Sequence, residues 1–163
     1  MLTAEGEDAW LRIKQHMEWC DSFALVFIFS DQPAVTTVLR DRLAAIYRSR
    51  VTALELPLPE TAGELLDRLL PRLLHLPQHQ RALDAPIWLD LSRAPRNMTK
   101  EERAAWLEAC LQFLARLNEQ REALRRTLVK PLVLVLPLAE KARIKALVPD
   151  LWAIRHFSLQ VGT

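Results

Sequence analysis

The sequence predicts an α/β fold in which a mostly parallel, five-stranded sheet lies between two layers of helices. Residues 23–29 and 132–136 are apolar at every position, which is typical of strands covered on both faces. Segments in which apolar residues recur at helical spacing alternate with these runs. Strands that alternate with long helices favour right-handed crossovers, and hence a three-layer sandwich.

The first half of the chain is predicted to contain three helices and two strands. In chain order these are a leading helix over about residues 3–20, a strand over 23–29, a helix over 33–46, a strand over 51–56 and a helix over 65–74. Pro33 suits a first helical turn, because the N–H that proline lacks has no intrahelical partner there. Pro71 is expected to bend or split its helix.

The second half is predicted to contain three more strands. They cover residues 86–92, 131–137 and 151–161, with a long helix over about 99–128 and a short helix over 138–147 between them. Thr99 and Glu102 have the spacing of a capping box, in which each side chain satisfies a free amide of the first turn. We therefore expect the long helix to begin at Thr99.

Length and composition indicate one compact domain. The chain has 163 residues, of which 50% are hydrophobic and 26% charged, so a disordered chain is excluded. We expect one α/β domain over residues 1–163, with the helix of residues 1–20 packed on it. The apolar run 23–29 is far shorter than the ~20 residues of a membrane helix. The acidic start is unlike a secretion leader, and we expect a soluble cytoplasmic protein without a membrane partner.

Charge and cysteine usage narrow the class of partner. The net charge is +2, and acidic residues are interleaved with the arginines, which argues against nucleic acid as a partner. Cys20 and Cys110 lie in helical patterns without metal-ligand spacing, so we predict packing roles for both and no bound metal. Pro77 separates His75 from His79, which disfavours a zinc pair on one helix face. No catalytic residue is predicted.

The segment from Ser30 to Thr37 stands where a phosphate-binding loop would stand. Aligned with G-x-x-x-x-G-K-[ST], Ser30 takes the place of the first glycine, Val35 that of the second and Thr36 that of the lysine, while Thr37 agrees with the pattern. Glycine amides surround the phosphates in a working loop, and the lysine neutralises their charge. We therefore predict a degenerate loop in a phosphate-loop-like topology, with no nucleotide cofactor.

Asp90 is the best candidate for a magnesium ligand. It ends an apolar strand, and ligands of open parallel sheets bind beyond the carboxyl ends of strands. One interpretation is that Asp90 caps its own turn or accepts hydrogen bonds from the first strand's loop. The alternative is a nucleotide site in which Asp90 and Thr37 hold magnesium, amides of residues 34–37, including that of Thr36, bind phosphate, and Arg93 or Arg155 replaces the lysine.

Four segments together resemble a known family. They are residues 23–31 in place of the phosphate loop, 87–91 in place of the magnesium strand, the strand 131–137, and the closing phrase 146–155. The chain resembles the nucleotidase-like amino-terminal domains of bacterial signal-transduction ATPases with numerous domains, especially the divergent versions that precede tetratricopeptide repeats. This resemblance implies a role in regulated assembly, in defence or signalling. The missing glycines and lysine depart from the family pattern and disfavour ATP hydrolysis.

The sequence therefore favours a non-catalytic module that binds another protein and regulates it. Candidate partner-binding residues are the arginines on the exposed face of the long helix, Arg116, Arg125 and Arg126. Trp10 and Trp152 are added because tryptophan is enriched at interface centres. The first alternative is a weak magnesium-dependent nucleotide-binding protein or NTPase. The second is a nucleic-acid accessory protein, whose affinity would fall steeply with salt.

Overall fold

The computed structural model describes residues 2–18, 23–47, 59–75, 86–128, 130–155 and 157–161. These residues form seven α-helices and four strands. The helices are α1 (Ala4–Glu18), α2 (Pro33–Ile46), α3 (Ala62–Leu74), α4 (Lys100–Glu119), α5 (Arg121–Thr127), α6 (Lys141–Leu147) and α7 (Pro149–Ala153). The strands are β1 (Leu25–Ser30), β2 (Ile87–Asp90), β3 (Leu132–Pro137) and β4 (Phe157–Val161).

The four strands form one parallel sheet in the order β2-β3-β1-β4. The predicted α/β class with a parallel sheet is confirmed. The described residues hold four strands rather than the five predicted, and the predicted strand over 51–56 lies outside them. Strand β1 is central, with β3 on one side and β4 on the other.

Helices cover both faces of the sheet. Helices α3 to α7 pack on the face to which Leu25, Phe27 and Phe29 contribute, whereas α1 and α2 pack on the face to which Val26 and Ile28 contribute. These five side chains of β1 have no solvent exposure. Burial of each such side chain stabilises the fold by about 1.5–3 kcal/mol, so this strand anchors both layers.

Two helices begin with the residues that the sequence predicts. Pro33 is the first residue of α2. The Thr99 side chain accepts a hydrogen bond from the Glu102 amide at 3.1 Å, and the Glu102 carboxylate accepts one from the Thr99 amide at 3.2 Å. This capping box is confirmed, and the helix it begins is α4. Pro71 lies inside α3, which is not split there.

The prediction of one helix over 99–128 was wrong, because α4 ends at Glu119 and α5 begins at Arg121. The Arg121 guanidinium donates to the Asn118 carbonyl at 3.1 Å. In an unbroken helix that carbonyl would accept from the amide four residues later. The Gln120 amide is shared between the carbonyl of Arg116, its regular helical acceptor, and that of Leu117, as is common at a helix end.

The prediction of a strand over 151–161 was wrong in its first part. Residues Pro149–Ala153 form α7, and the strand is limited to Phe157–Val161. Pro149 occupies the first turn of α7, and the Asn118 carboxamide oxygen accepts the Leu151 amide proton at 2.9 Å. A side chain of α4 thus caps the start of α7.

The leading helix is tied to α2 by a two-pronged ion pair. The guanidinium nitrogens of Arg42 lie 2.7 and 2.8 Å from the Glu7 carboxylate oxygens. Ile13 and Met17 on the inner side of α1 are buried in the same apolar cluster as Leu39 of α2. Within the described ranges, no helix combines the length and the apolar character that crossing a membrane requires.

Candidate functional site

The carboxyl ends of the parallel strands meet at one edge of the sheet. Strand register sets Ser30 at the end of β1 beside Pro137 of β3 and Val161 of β4, while Asp90 at the end of β2 lies beside Val135. Ligands of open parallel sheets bind beyond this edge, so it is the place to test the nucleotide hypothesis.

The turn between β1 and α2 is closed by its own hydrogen bonds. The Ser30 hydroxyl oxygen accepts the Gln32 amide proton at 2.9 Å and lies 3.4 Å from the Gln32 carbonyl, to which the hydroxyl donates. The amides of Val35 and Thr36 donate to that same carbonyl. Pro33 has no amide proton. The turn therefore offers an anion far fewer backbone donors than a phosphate-binding loop does.

Thr36, which stands where the lysine of a phosphate loop would stand, faces inward. It is 1% exposed, and its hydroxyl donates to the Pro33 carbonyl at 3.1 Å. A side chain in this position satisfies its hydrogen-bonding capacity within the first turn of α2. It has no charge with which to compensate a phosphate.

Asp90 caps the turn that follows β2. Its Oδ1 accepts the Ser92 amide proton at 2.9 Å and the Ser92 hydroxyl proton at 2.5 Å, and the residue is 8% exposed. This is the turn-capping geometry that the sequence offers as the alternative to magnesium binding. Oδ2 of Asp90 lies 3.5 Å from Nε of Arg93.

Arg93 connects Asp90 to the start of α2. Its Nη2 donates to the Thr37 hydroxyl oxygen at 2.8 Å and to the Pro33 carbonyl at 3.1 Å, while its Nε faces Asp90. The structure thus brings together Asp90, Thr37 and Arg93, which the nucleotide hypothesis invoked. A guanidinium group lies between the two side chains that were assigned to magnesium.

Arg155, the other candidate for replacing the lysine, lies elsewhere. It lies two residues before the first residue of β4, at the amino edge of the sheet, and its Nη1 donates to the Trp152 carbonyl. Its guanidinium carbon is 3.9 Å from the centre of the Trp152 ring. The structure therefore does not bring Arg155 to the edge at which Asp90 and Ser30 lie.

Among the cavities lined by described residues, two illustrate the chemistry near the carboxyl edge. One, of about 370 Å³, lies between the first turns of α1 and α2 and is lined in part by Glu5, Gln32 and Val161. A carboxylate in its wall disfavours a phosphate there. The other, of about 280 Å³, lies beside the β2–α4 loop and is lined in part by Arg93 and Trp106.

Groups that could support metal or thiol chemistry are scarce in the part of the chain that the structure describes. No cluster of three or more His, Cys, Asp or Glu side chains there could hold a metal ion. Cys110 is buried in α4, and burial raises the pKa of its thiol to about 12. A thiol with so high a pKa is almost entirely protonated at neutral pH and is a poor nucleophile.

The five residues proposed to bind a partner are not adjacent. Arg116 lies on α4, where its guanidinium donates to the Leu66 carbonyl of α3 at 3.1 Å. Arg125 and Arg126 lie on α5 and contact Glu122. Trp152 packs on the sheet face covered by α3 to α7, and Trp10 packs on the opposite face. The two tryptophans therefore do not lie on one face of the sheet.

Two lysines that lie over the neighbouring rings of Trp152 and Phe29 were not singled out from the sequence. Lys145 Nζ lies 4.9 Å from the centre of the Trp152 ring, and Lys141 Nζ lies 5.5 Å from that of Phe29. The available signal was their four-residue spacing, which places both lysines on one face of a helix.

Comparisons with known proteins add no relative. No protein-family model, curated protein or solved structure matches this chain. The interpretation of the site therefore depends on the geometry of its own residues.

Proposed function

We propose that this chain is a non-catalytic interaction or regulatory module, built on a degenerate phosphate-loop frame, of a cytoplasmic bacterial signalling or defence assembly. The observation that carries the proposal is the position of Arg93, which contacts both Asp90 and Thr37. The resemblance of the four sequence segments to nucleotidase-like signalling domains motivates the assembly role.

The charge of Arg93 supports the absence of a magnesium ion. A divalent cation bound by Asp90 and Thr37 would have to displace the guanidinium or stay close to it. Like charges at such distances repel strongly where water is partly excluded. The ion would also have to compete with the Ser92 amide and hydroxyl for Oδ1 of Asp90.

The β1–α2 turn supports the absence of a bound phosphate. Its first-turn donors are spent on the Gln32 carbonyl, and Thr36 is buried. Losing one preorganised donor typically costs a few kcal/mol of charge stabilisation. Here the amides of the turn are already engaged and the lysine is absent from its position. An interaction role needs neither group.

A weak magnesium-dependent nucleotide-binding protein is the second candidate. It is favoured by one observation, which is that a single side chain reaches both Asp90 and Thr37. If Arg93 turned toward solvent, the two oxygens could face one cation, and the guanidinium could contact a phosphate.

Thermal unfolding of the purified protein separates the two candidates. The protein would be heated with magnesium and ATP, GTP or ADP at millimolar concentration, beside Asp90→Ala and Arg93→Ala. A ligand present at 100 times its dissociation constant stabilises a protein by about 2.7 kcal/mol, which raises the melting temperature by several degrees. We expect no shift for the unsubstituted protein with any nucleotide.

The variants make either result interpretable. A nucleotide-dependent shift that Asp90→Ala abolishes would overturn the non-catalytic proposal and make hydrolysis the next assay. Arg96→Ala is the matched control for Arg93→Ala, because Arg96 belongs to the same loop and, within the described residues, has no hydrogen bond or ion pair to an identified group.

A further inference from the structure

Two cations lie over the half-buried Trp152 ring, and a third lies over the neighbouring Phe29 ring. The Arg155 guanidinium carbon lies 3.9 Å from the centre of the Trp152 ring, and Lys145 Nζ lies 4.9 Å from it. The Trp152 ring is 6.1 Å from that of Phe29, over which Lys141 Nζ lies at 5.5 Å. We call Lys141, Lys145, Arg155 and Trp152 the basic band.

The basic band runs along the strand rather than around a point. Lys141 donates to the Gln160 side chain near the carboxyl end of β4 at 3.0 Å, whereas Arg155 precedes the amino end of the same strand. Between them, Ser158 is half-buried and Gln160 is exposed. The band therefore extends along β4, from the residues before its amino end to Gln160 near its carboxyl end.

Nearby carboxylates are engaged with other cations. Glu140 lies 3.8 Å from Arg143, and Asp150 lies 3.5 Å from Arg121. Within the described residues, none of the three cations of the basic band forms an ion pair with a carboxylate. The band therefore presents positive charge that the described chain does not neutralise.

We propose that the basic band docks an extended acidic segment of a partner protein, an inference that depends on the proposed interaction function and names its partner's chemistry. Charge complementarity selects a carboxylate-rich occupant. The Arg155 fork matches carboxylate geometry, and the aromatic ring limits the motion of the cations, which lowers the entropy cost of binding. An extended segment matches the linear arrangement of the three charges.

The same geometry disfavours single-stranded nucleic acid. Proteins that bind single strands combine a basic groove with open aromatic faces on which bases stack. Here a guanidinium and an ammonium lie over the Trp152 ring, and Phe27 packs against it at 5.5 Å. Bases would have to displace these groups before they could stack.

The test is a binding titration with defined probes. Fluorescein-labelled decaglutamate, decaglutamine and an oligothymidylate of equal length would be titrated with the full chain, and fluorescence anisotropy recorded at low salt. Of the three probes, we expect only decaglutamate to bind. Lys145→Glu should weaken decaglutamate binding by about tenfold, because reversing a close charge converts attraction into repulsion.

Lys14→Glu is the matched control. It makes the same charge change on an exposed residue of α1, on the opposite face of the sheet, and it should alter decaglutamate affinity by no more than about twofold, because mutating distant surface charges has small effects. Far-ultraviolet circular dichroism melts would confirm that both variants fold.

Three results would overturn the acidic-segment proposal. They are the absence of decaglutamate binding, equal weakening by Lys145→Glu and Lys14→Glu, and oligothymidylate binding that Lys145→Glu abolishes. None of them bears on the nucleotide melts, so the proposed function can stand when this inference fails. Conversely, a nucleotide shift would overturn the function whatever decaglutamate does.

Discussion

Arg93 and Thr37 are 56 residues apart in the chain and are joined by a 2.8 Å hydrogen bond from guanidinium to hydroxyl. The bond connects the loop after β2 to the first turn of α2, across the edge of the sheet at which ligands of this architecture bind. The guanidinium thus joins two segments and lies between the two side chains that the nucleotide hypothesis assigns to magnesium.

Arg93→Ala should lower the free energy of unfolding by about 1 kcal/mol, because a partly exposed side chain loses its bonds to Thr37 and Pro33. Thr37→Val should cost less, and the double variant should cost less than the two single changes together, because they remove the same bond. Urea unfolding of all four proteins measures this coupling. Strict additivity would contradict the bond.

The ion pair between Glu7 and Arg42 should make stability depend on pH. The Arg42 guanidinium, by its hydrogen bonds to Glu7, lowers the pKa of that carboxyl from its ordinary value of 4.5, and the pKa of Arg42 is raised by the same bonds. A carboxyl whose pKa is lower in the folded state stabilises the fold above its unfolded pKa, and that stabilisation is lost as pH falls through the folded value.

Glu7→Gln should therefore destabilise the protein most near neutral pH, and its effect should shrink as pH falls below the ordinary carboxyl pKa of 4.5 and through the lower folded value. Urea unfolding at several pH values would show the difference between the two proteins shrinking below pH 4.5. Glu5→Gln, an exposed change in the same turn, is the control. A difference that did not vary with pH would mean that the pair is not ionic in solution.

Thr99→Ala should lower the free energy of unfolding by about 1 kcal/mol, the usual cost of losing an N-cap side chain. The Glu102 amide would lose its acceptor at the start of α4. Thr99→Ser keeps the hydroxyl and should stay within about 0.5 kcal/mol of the unsubstituted protein. Chemical denaturation compares the three, and equal losses for Ala and Ser would indicate that the lost methyl group, rather than the cap, is responsible.

Arg116→Ala should destabilise the protein more than Arg125→Ala. The Arg116 guanidinium joins α4 to the Leu66 carbonyl of α3, a bond worth about 0.5–1 kcal/mol. Arg125 pairs at 3.7 Å with Glu122, and both side chains are more than half exposed, so its removal should cost little. Melting temperatures of the two variants decide this, and a larger loss for Arg125 would contradict it.

Local signals in the sequence were sufficient for much of the fold. Strands β1 and β3 follow from uninterrupted apolar runs, and the start of α4 follows from the three-residue spacing of Thr99 and Glu102. Each depends on residues that are close in the chain, and so each can be predicted from spacing alone.

The features that could not be predicted depend on distant residues. The end of α4 and the start of α7 are fixed together by Asn118, which bonds the Leu151 amide 33 positions away. Apolar periodicity continues through Leu124 and Leu128, so it predicts one helix where there are two. Likewise, Arg93 was a candidate for a charged contact, but only the order of strands in the sheet brings it to Thr37.

The central position of β1 has a consequence for how the chain folds. Leu25 of β1 pairs with Leu132 of β3, and Val26 pairs with Phe157 of β4, so this apolar strand finds both neighbours more than a hundred residues later. Such distant pairing slows folding, because long loops must close before contacts form. On the ribosome, the edges of β1 therefore remain unpaired with these neighbours until the chain has grown past β3, and during that time its apolar side chains can aggregate.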